Sequence, residues 1–400
     1  MPDFAPPALA DLPRIHPEAV GLDPRALERL VSVMQREIDS GKVPGATLAI
    51  GRHGKIGFAA ALGARKPEGP AMPLDAIFRI YSMTKPVVTI AAMQLVEEGR
   101  LFLSDPIQQY IPAFADTKVG IERGDELDLV APTRPITVQD LMRHTSGLTY
   151  GFTGVSQAQR LLRRSGALSQ QRDSAGHMET IAALPLQHQP GKVWEYSVST
   201  DVLGRIVEVI EGAPLSVVLQ ERILGPLGMT DTAFYTPPDK LERRAEPVSL
   251  QMFSTIGIDP NNMTAPPKFE MGGGGLLGTL GDYLRFLAML DGGGVLQGKR
   301  ILGPRTLAFM TSNHLSPHVR NNHPLLPPGN AFGLGFAVRT DAGLAPTAGS
   351  VGEYFWGGVA GTAFFVSPAD SLYAVLMLQA PEYRDYFRLL FRTLVYAAVV

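Results

Sequence analysis

Four hundred residues, 45% hydrophobic and 18% charged with a formal net charge of -2, make a chain long enough for a deep core and more than one lobe, and exclude disorder over most of its length. With no cysteine anywhere, a disulfide framework, a thiol nucleophile and every thiolate-bound metal or iron–sulfur centre are excluded. Thirty-six basic against 38 acidic side chains give no strong field to draw nucleic acid or an anionic membrane, which leaves a small molecule as the expected partner.

The start, Met1-Pro2-Asp3-Phe4-Ala5-Pro6-Pro7, is acidic and proline-broken, without the basic residues and apolar run of a secretory signal, so a cytoplasmic location is expected. The longest apolar runs, such as Ile90 to Met93 and Leu394 to Val400, fall far short of the roughly 20 residues that span a bilayer. From Asp23 to Ser40, Leu27, Leu30, Val31 and Met34 recur at helical spacing, with Asp23 as N-cap and Pro24 in the first turn. Ala46 to Ile50 and Ile56 to Ala60 then read as two antiparallel strands joined by the glycine-bearing loop Gly51 to Lys55.

Ser82-Met83-Thr84-Lys85 is the only Ser-x-x-Lys in the chain, and by composition alone about one is expected in a sequence this long. Its setting adds meaning. Phe78-Arg79-Ile80-Tyr81 before it is strand-like, and a helical pattern runs on toward Gly99, so Ser82 and Lys85 share one face of a first helical turn. A hydroxyl is a poor nucleophile until a neighbouring amine, kept neutral by burial, takes its proton, and backbone N–H groups at a helix start can hold an oxyanion. A capping serine followed by a solvated lysine is the plain alternative. The middle of the chain is helical in pattern, over Lys85 to Glu98, Thr137 to Arg143, Val202 to Glu211 and Leu215 to Leu224. Within it, the Pro190-Gly191 turn leads to Tyr196-Ser197-Val198 just ahead of a helix, which would aim Tyr196 out of a loop, although tyrosine is commonly a core residue.

Tyr235 to Glu270 and Ser312 to Asn330 are Pro- and Gly-rich and long enough to be binding loops. The sequon Asn262-Met263-Thr264 reads as an accidental triplet. Gly273-Gly274-Gly275-Leu276-Leu277-Gly278 matches Gly-x-Gly-x-x-Gly, but Pro266 to Met271 before it is no buried parallel strand, so these glycines are read as a crossing between lobes. Strand candidates return at Gly333 to Arg339, Gly361 to Val366 and Leu372 to Leu378, and Pro381 to Val400 is again helical. Glu353 to Gly361 sets Trp356 beside Gly357 and Gly358, as a ligand lying along a strand edge would need, though taken alone a glycine-rich turn beside a core tryptophan is the commoner reading. The eight histidines form no His-Glu-x-x-His pattern and no Gly-x-Ser-x-Gly elbow is present, so neither a metal nor a cofactor is expected.

In this order, Ser-x-x-Lys, Tyr-Ser-x and Trp-Gly-Gly resemble the signature of the serine β-lactamase and penicillin-binding-protein superfamily, and within it the family VIII carboxylesterases. Glu97 to Pro106, Ile136 to Leu148 and Leu224 to Met229 look like the same family, so the likeness covers nearly the whole chain. The resemblance implies an α/β (α+β) fold: a central antiparallel sheet flanked by helices and built from 1–81 and 271–400, a mainly helical domain over 82–270, and an active site at their junction. It also implies Ser82 as the acylated nucleophile, Lys85 as its proton acceptor, and Tyr196 as the relay to the leaving group and the activator of water. Because an ordinary phenol titrates near pH 10, that relay would need a cationic lysine beside it, the two titrating as a coupled pair. The backbone N–H groups of Ser82 and Val359 would form the oxyanion hole, with Tyr81, Val198, Trp356, Gly357 and Gly358 binding substrate.

Two departures bear on substrate. Val198 stands where β-lactamases carry an asparagine that contacts the acylamino group, and Trp356 stands where they carry the lysine of Lys-Thr-Gly. Both shift the expected substrate from anionic β-lactams toward small, short-chain neutral esters, with weak β-lactamase activity left open by the shared machinery. A transacylase or amidase on the same machinery is the first alternative; a non-catalytic binding protein is disfavoured by the joint presence of Ser82, Lys85 and Tyr196. The oligomeric state is left open.

Overall fold

In a computed structural model of the chain, the residues described are Leu9 and 11–124, 126–167, 169, 172–255 (254 and 255 by backbone alone), 263–321 and 323–400. Met1 to Pro7 and Asn262 of the sequon lie outside them.

Helix α1 (Pro24–Asp39) starts where Asp23 accepts a hydrogen bond from the Arg25 N–H at 3.0 Å, satisfying one of the N–H groups that a helix start leaves unpaired, and it buries Leu27, Leu30 and Met34. Strands β1 (Gly45–Arg52) and β2 (Lys55–Gly63) follow as a hairpin. Its loop is two residues and not the five of Gly51 to Lys55: Gly51 and Arg52 still pair with Ile56 and Lys55. His53 and Gly54, at φ 53° and 71°, supply the two left-handed positions that so tight a turn requires.

Strand β3 (Ile77–Arg79) leads into helix α2 (Thr84–Glu97), and then come helices α3 (Val138–Met142) and α4 (Ser199–Glu211). Helix α2 is no surface helix: every residue from Thr84 to Met93 is buried, as expected of a helix apolar nearly all round. The helical middle also holds a hairpin, Val119–Arg123 against Glu126–Val130, which sequence periodicity missed because most of its residues are exposed and alternate poorly.

Strand β4 (Leu277–Thr279) pairs with β3, and helix α5 (Leu280–Asp291) follows at once, capped by the Thr279 hydroxyl. The remaining strands are β5 (Asn330–Phe332), β6 (Ala337–Arg339), β7 (Tyr354–Gly357), β8 (Ala363–Ser367) and β9 (Leu372–Leu378), before helix α6 (Arg384–Tyr396). Of the expected strand Gly333 to Arg339 only Ala337–Arg339 forms, pairing with β5 just ahead of it: Gly335 sits at φ 84° and a Cβ on Gly333 would lie 2.2 Å from the Met310 carbonyl, so the chain turns there.

The seven-stranded antiparallel sheet runs β2-β1-β9-β8-β7-β6-β5, so the last strand lies beside the first. The period of two explains why both faces are covered. Leu372, Ala374, Leu376 and Leu378 pack with Leu27 and Leu30 of α1 and Phe387 and Phe391 of α6. Tyr373, Val375 and Met377 point the other way, into a core shared with Leu284 and Leu287 of α5 and with Val202 and Ile206 of α4. Burying each such side chain contributes roughly 1.5–3 kcal/mol.

Candidate active site

Ser82 is held from both sides in sequence. Ile80 N–H donates to the Leu276 carbonyl at 3.1 Å, extending the β3–β4 pairing to the doorstep of the serine. Tyr81 then takes φ 43°, a left-handed conformation costing a bulky residue on the order of 1–3 kcal/mol, and its ring is clamped against Phe253 at 5.5 Å. Tyr81–Met83 forms a tight turn into α2 that leaves Ser82 partly exposed while Tyr81, Met83 and Lys85 are buried.

One helical turn on, Lys85 Nζ lies 3.4 Å from Ser82 Oγ. The same amine donates to the Gly273 carbonyl at 2.6 Å and to the Tyr150 hydroxyl at 3.1 Å, and it sits 4.6 Å from the centre of the Tyr196 ring. Gly273 is a bridge, because its N–H donates to Asp201 Oδ1 at 2.9 Å while its carbonyl takes Lys85. A Cβ there would lie 2.5 Å from Asp201 Oδ2 and 2.9 Å from the Tyr150 hydroxyl, so any larger residue would have to push these two side chains aside. Asp201 Oδ2 is buried without a hydrogen-bond partner among the described residues. Burial pushes the Asp201 carboxyl up, opposed by the Lys85 charge. Burial, then the charges of Asp201 and Tyr196, push the Tyr150 phenol well up, so it stays neutral at pH 7.

Tyr196 emerges from the loop ahead of α4. Trp356 Nε1–H, on β7, donates to its hydroxyl at 3.3 Å, with ring centres 5.2 Å apart. His144 backs the phenol at 4.9 Å between ring centres, and its Nδ1 lies 3.2 Å from Ser197 Oγ in a hydroxyl chain that continues to Ser199 and Ser146. Glu195 N–H donates to the His144 carbonyl, so the Ile136 to Leu148 segment and the tyrosine loop are stitched together. Burial, then the charges of Lys85 and His323, hold the His144 imidazole well below its usual range, so it is neutral at pH 7.

Gly357 and Gly358 lie against the serine segment: a Cβ on Gly358 would sit 2.4 Å from the Ile80 carbonyl. Gly358 N–H is engaged by the Thr362 carbonyl at 2.8 Å, and Val359 packs with Tyr81, Phe253 and Ala360. Val198 is buried at the N-terminus of α4, and its N–H donates to the Thr149 carbonyl. The structure thus brings Ser82, Lys85, Tyr196, Trp356 and the Gly357–Val359 turn into one site. Sequence reasoning missed Tyr150, Asp201, Gly273 and Arg388, whose guanidinium reaches the Gly358 carbonyl. Asp201 had a signal, a lone acid ahead of the apolar run Val202-Leu203, and Gly273 had one in the glycine-rich match set aside as a crossing.

A family model described as Beta-lactamase matches residues 30–397. Protein Rv1367c of Mycobacterium tuberculosis is 38% identical over 86% of this chain and 88% of its own. Esterase EstB of Burkholderia gladioli is 30% identical over 92% of this chain and 94% of its own. Among solved structures, EstCE1, described as a hydrolase with promiscuous acyltransferase activity, superposes with a TM-score of 0.79 over 93% of this chain and 98% of its own, at 29% identity.

Proposed function

The chain belongs to the beta-lactamase family, and we propose that within it the protein is a serine carboxylesterase that hydrolyses small neutral esters through an acyl-Ser82 intermediate. The observation that carries this reading is the surrounding of Lys85. Bonds to the Gly273 carbonyl and the Tyr150 hydroxyl hold the amine 3.4 Å from Ser82 Oγ, where, in its neutral form, its lone pair can take the serine's proton. Ser82 Oγ attacks the ester carbonyl as its proton passes to Lys85, and the Ser82 and Val359 N–H groups receive the oxyanion. The C–O bond to the alcohol then breaks, and the alcohol leaves with a proton relayed by Tyr196. Water adds to the acyl carbon as Tyr196 takes its proton and passes its own on to Lys85, and the C–O bond to Ser82 then breaks as Lys85 returns that proton to Ser82 Oγ, releasing the acid.

The surroundings favour neutral substrates: Trp356 and Tyr196 belong to a largely buried aromatic cluster with Phe332, Trp194, Tyr150 and Phe152, and Val198 carries no polar group. We place the site at the meeting of a sheet lobe, 1–81 with 271–400, and a helical lobe, 82–270. Transfer of the acyl group to an alcohol instead of water is a second reading, favoured by the activity stated for EstCE1.

A fluorophosphonate probe should label the folded protein at Ser82 alone, and failure to label would remove Ser82 as nucleophile. Hydrolysis of a short-chain nitrophenyl ester should exceed that of a chromogenic cephalosporin by a wide margin; the reverse order would make the protein a β-lactamase.

A further inference from the structure

The turn that carries Val359 is gripped from behind by α6. Arg388 Nη2 donates to the Gly358 carbonyl, and a Cβ on Gly357 would lie 2.7 Å from Arg388 Nε, so the guanidinium lies flat against this turn. Arg388 Nε is buried with no hydrogen-bond partner among the described residues, and Nη1 pairs with Asp385 at 3.3 Å, a residue whose side chain is 67% exposed. The cation is therefore weakly compensated and aimed at one peptide. That peptide is the unit whose carbonyl belongs to Gly358 and whose N–H belongs to Val359. In a trans peptide the two point in opposite directions, so the guanidinium bonds one pole while the other faces away from it.

Resting on the acyl-Ser82 reading above, we propose that Arg388 is a positioning residue for the oxyanion site: its bond to the Gly358 carbonyl polarises and fixes the Gly358–Val359 peptide, making the Val359 N–H a stronger donor to the anionic oxygen. A charge-assisted bond to a carbonyl drains electron density from the peptide nitrogen, and chained hydrogen bonds strengthen one another in a low-dielectric setting. Gly358 cannot supply this donor itself, since its own N–H is taken by the Thr362 carbonyl at 2.8 Å. Burial pushes the Arg388 pKa down to about 10, which still leaves the group charged at pH 7. It also restores a cation to the neighbourhood from which Trp356 removed one, but places that cation behind the backbone.

The test uses the full chain and a neutral nitrophenyl ester. Arg388→Met should lower kcat about 10- to 100-fold, less than the loss of a whole oxyanion donor, with KM changed by less than about threefold. Arg388→Lys should fall between, because an ammonium keeps the charge without the flat fork. Guanidinium chloride added at millimolar concentration should restore part of the activity of Arg388→Ala, and an alkyl boronic acid, whose tetrahedral adduct places an oxygen in the hole, should weaken in parallel with kcat/KM. An unchanged kcat, a loss confined to KM, or a loss seen only with esters bearing a carboxylate would overturn the proposal, the last by making Arg388 a substrate anchor. Fluorophosphonate labelling of each variant separates the two levels: no label on wild type defeats the acyl-Ser82 reading, whereas labelled variants with wild-type kcat defeat only the role of Arg388. Should Arg388→Met and Arg388→Ala fail to fold, Arg388→Lys with full kcat and unaltered boronate affinity would still overturn it.

Discussion

Lys85 gathers Ser82, Tyr150, Gly273 and the Tyr196 ring around a single amine, and no two of these partners are neighbours in sequence. The roles proposed for Ser82 and Lys85 could be read locally, because a spacing of three on a helix fixes their proximity whatever the rest of the chain does. Tyr150 and Gly273 could not, since only their chemistry as a phenol and a carbonyl matters and neither spacing nor composition marks it. Tyr196→Phe tests the tyrosine directly. The ring keeps its packing against His144, Tyr150 and Trp356, so melting should change little, while turnover falls on the order of 10²–10⁴-fold for loss of a positioned proton relay. Steady-state rates beside a thermal melt check this, and near-normal turnover would remove Tyr196 from the mechanism.

The short helix α3 shows how an element serves the site without touching it. Asp140 closes a capping box with Thr137, and its buried carboxylate also takes Arg134, Arg143 and Thr145, fixing the turn that ends at His144. Burial alone would push this carboxyl up, but bonds and charge from Arg134, with Thr137 and Thr145, outweigh it and hold the pKa below the usual value. The folded form thus binds its proton less tightly than the unfolded one, so the stabilisation is present above the unfolded value near 4 and fades as pH falls below it. Asp140→Asn should cost about 3 kcal/mol at pH 7, from stranded arginines, and less at pH 3, where the unfolded wild type already carries a proton that folding must release. Urea titrations at the two pH values read the difference, and an equal cost at both would show that charge is not the cause. The longer helices were legible from caps and periodicity, whereas Gln157–Ser165, Ser174–Ala182 and Pro304–Met310 were not. The exposed hairpin at Val119–Arg123 was not, because strand propensity without a buried face leaves little pattern.

Across the molecule, one apolar core contains Val202 and Ile206 of α4 together with Val375 and Met377 of β9, so helical and sheet halves share their burial. Heat or denaturant should therefore produce a single transition by both far-ultraviolet circular dichroism and tryptophan fluorescence from Trp194 and Trp356; two separated transitions would show that the halves are stabilised independently. The sequence by itself determined the longer helices, most strands of the main sheet, the Ser82–Lys85 pair and the absence of any thiol chemistry, because each depends on residue type and short spacing. Only the tertiary structure decided that β9 lies beside β1, that Gly273 and Tyr150 occupy the Lys85 donors, that Asp201 stands behind them, and that Arg388 grips the Gly358 peptide from α6. These are contacts between residues up to some hundreds of positions apart, fixed by how buried faces pack rather than by any local pattern. The near-neutral chain thus gathers two basic side chains, Lys85 from α2 and Arg388 from α6, around residues far apart in sequence.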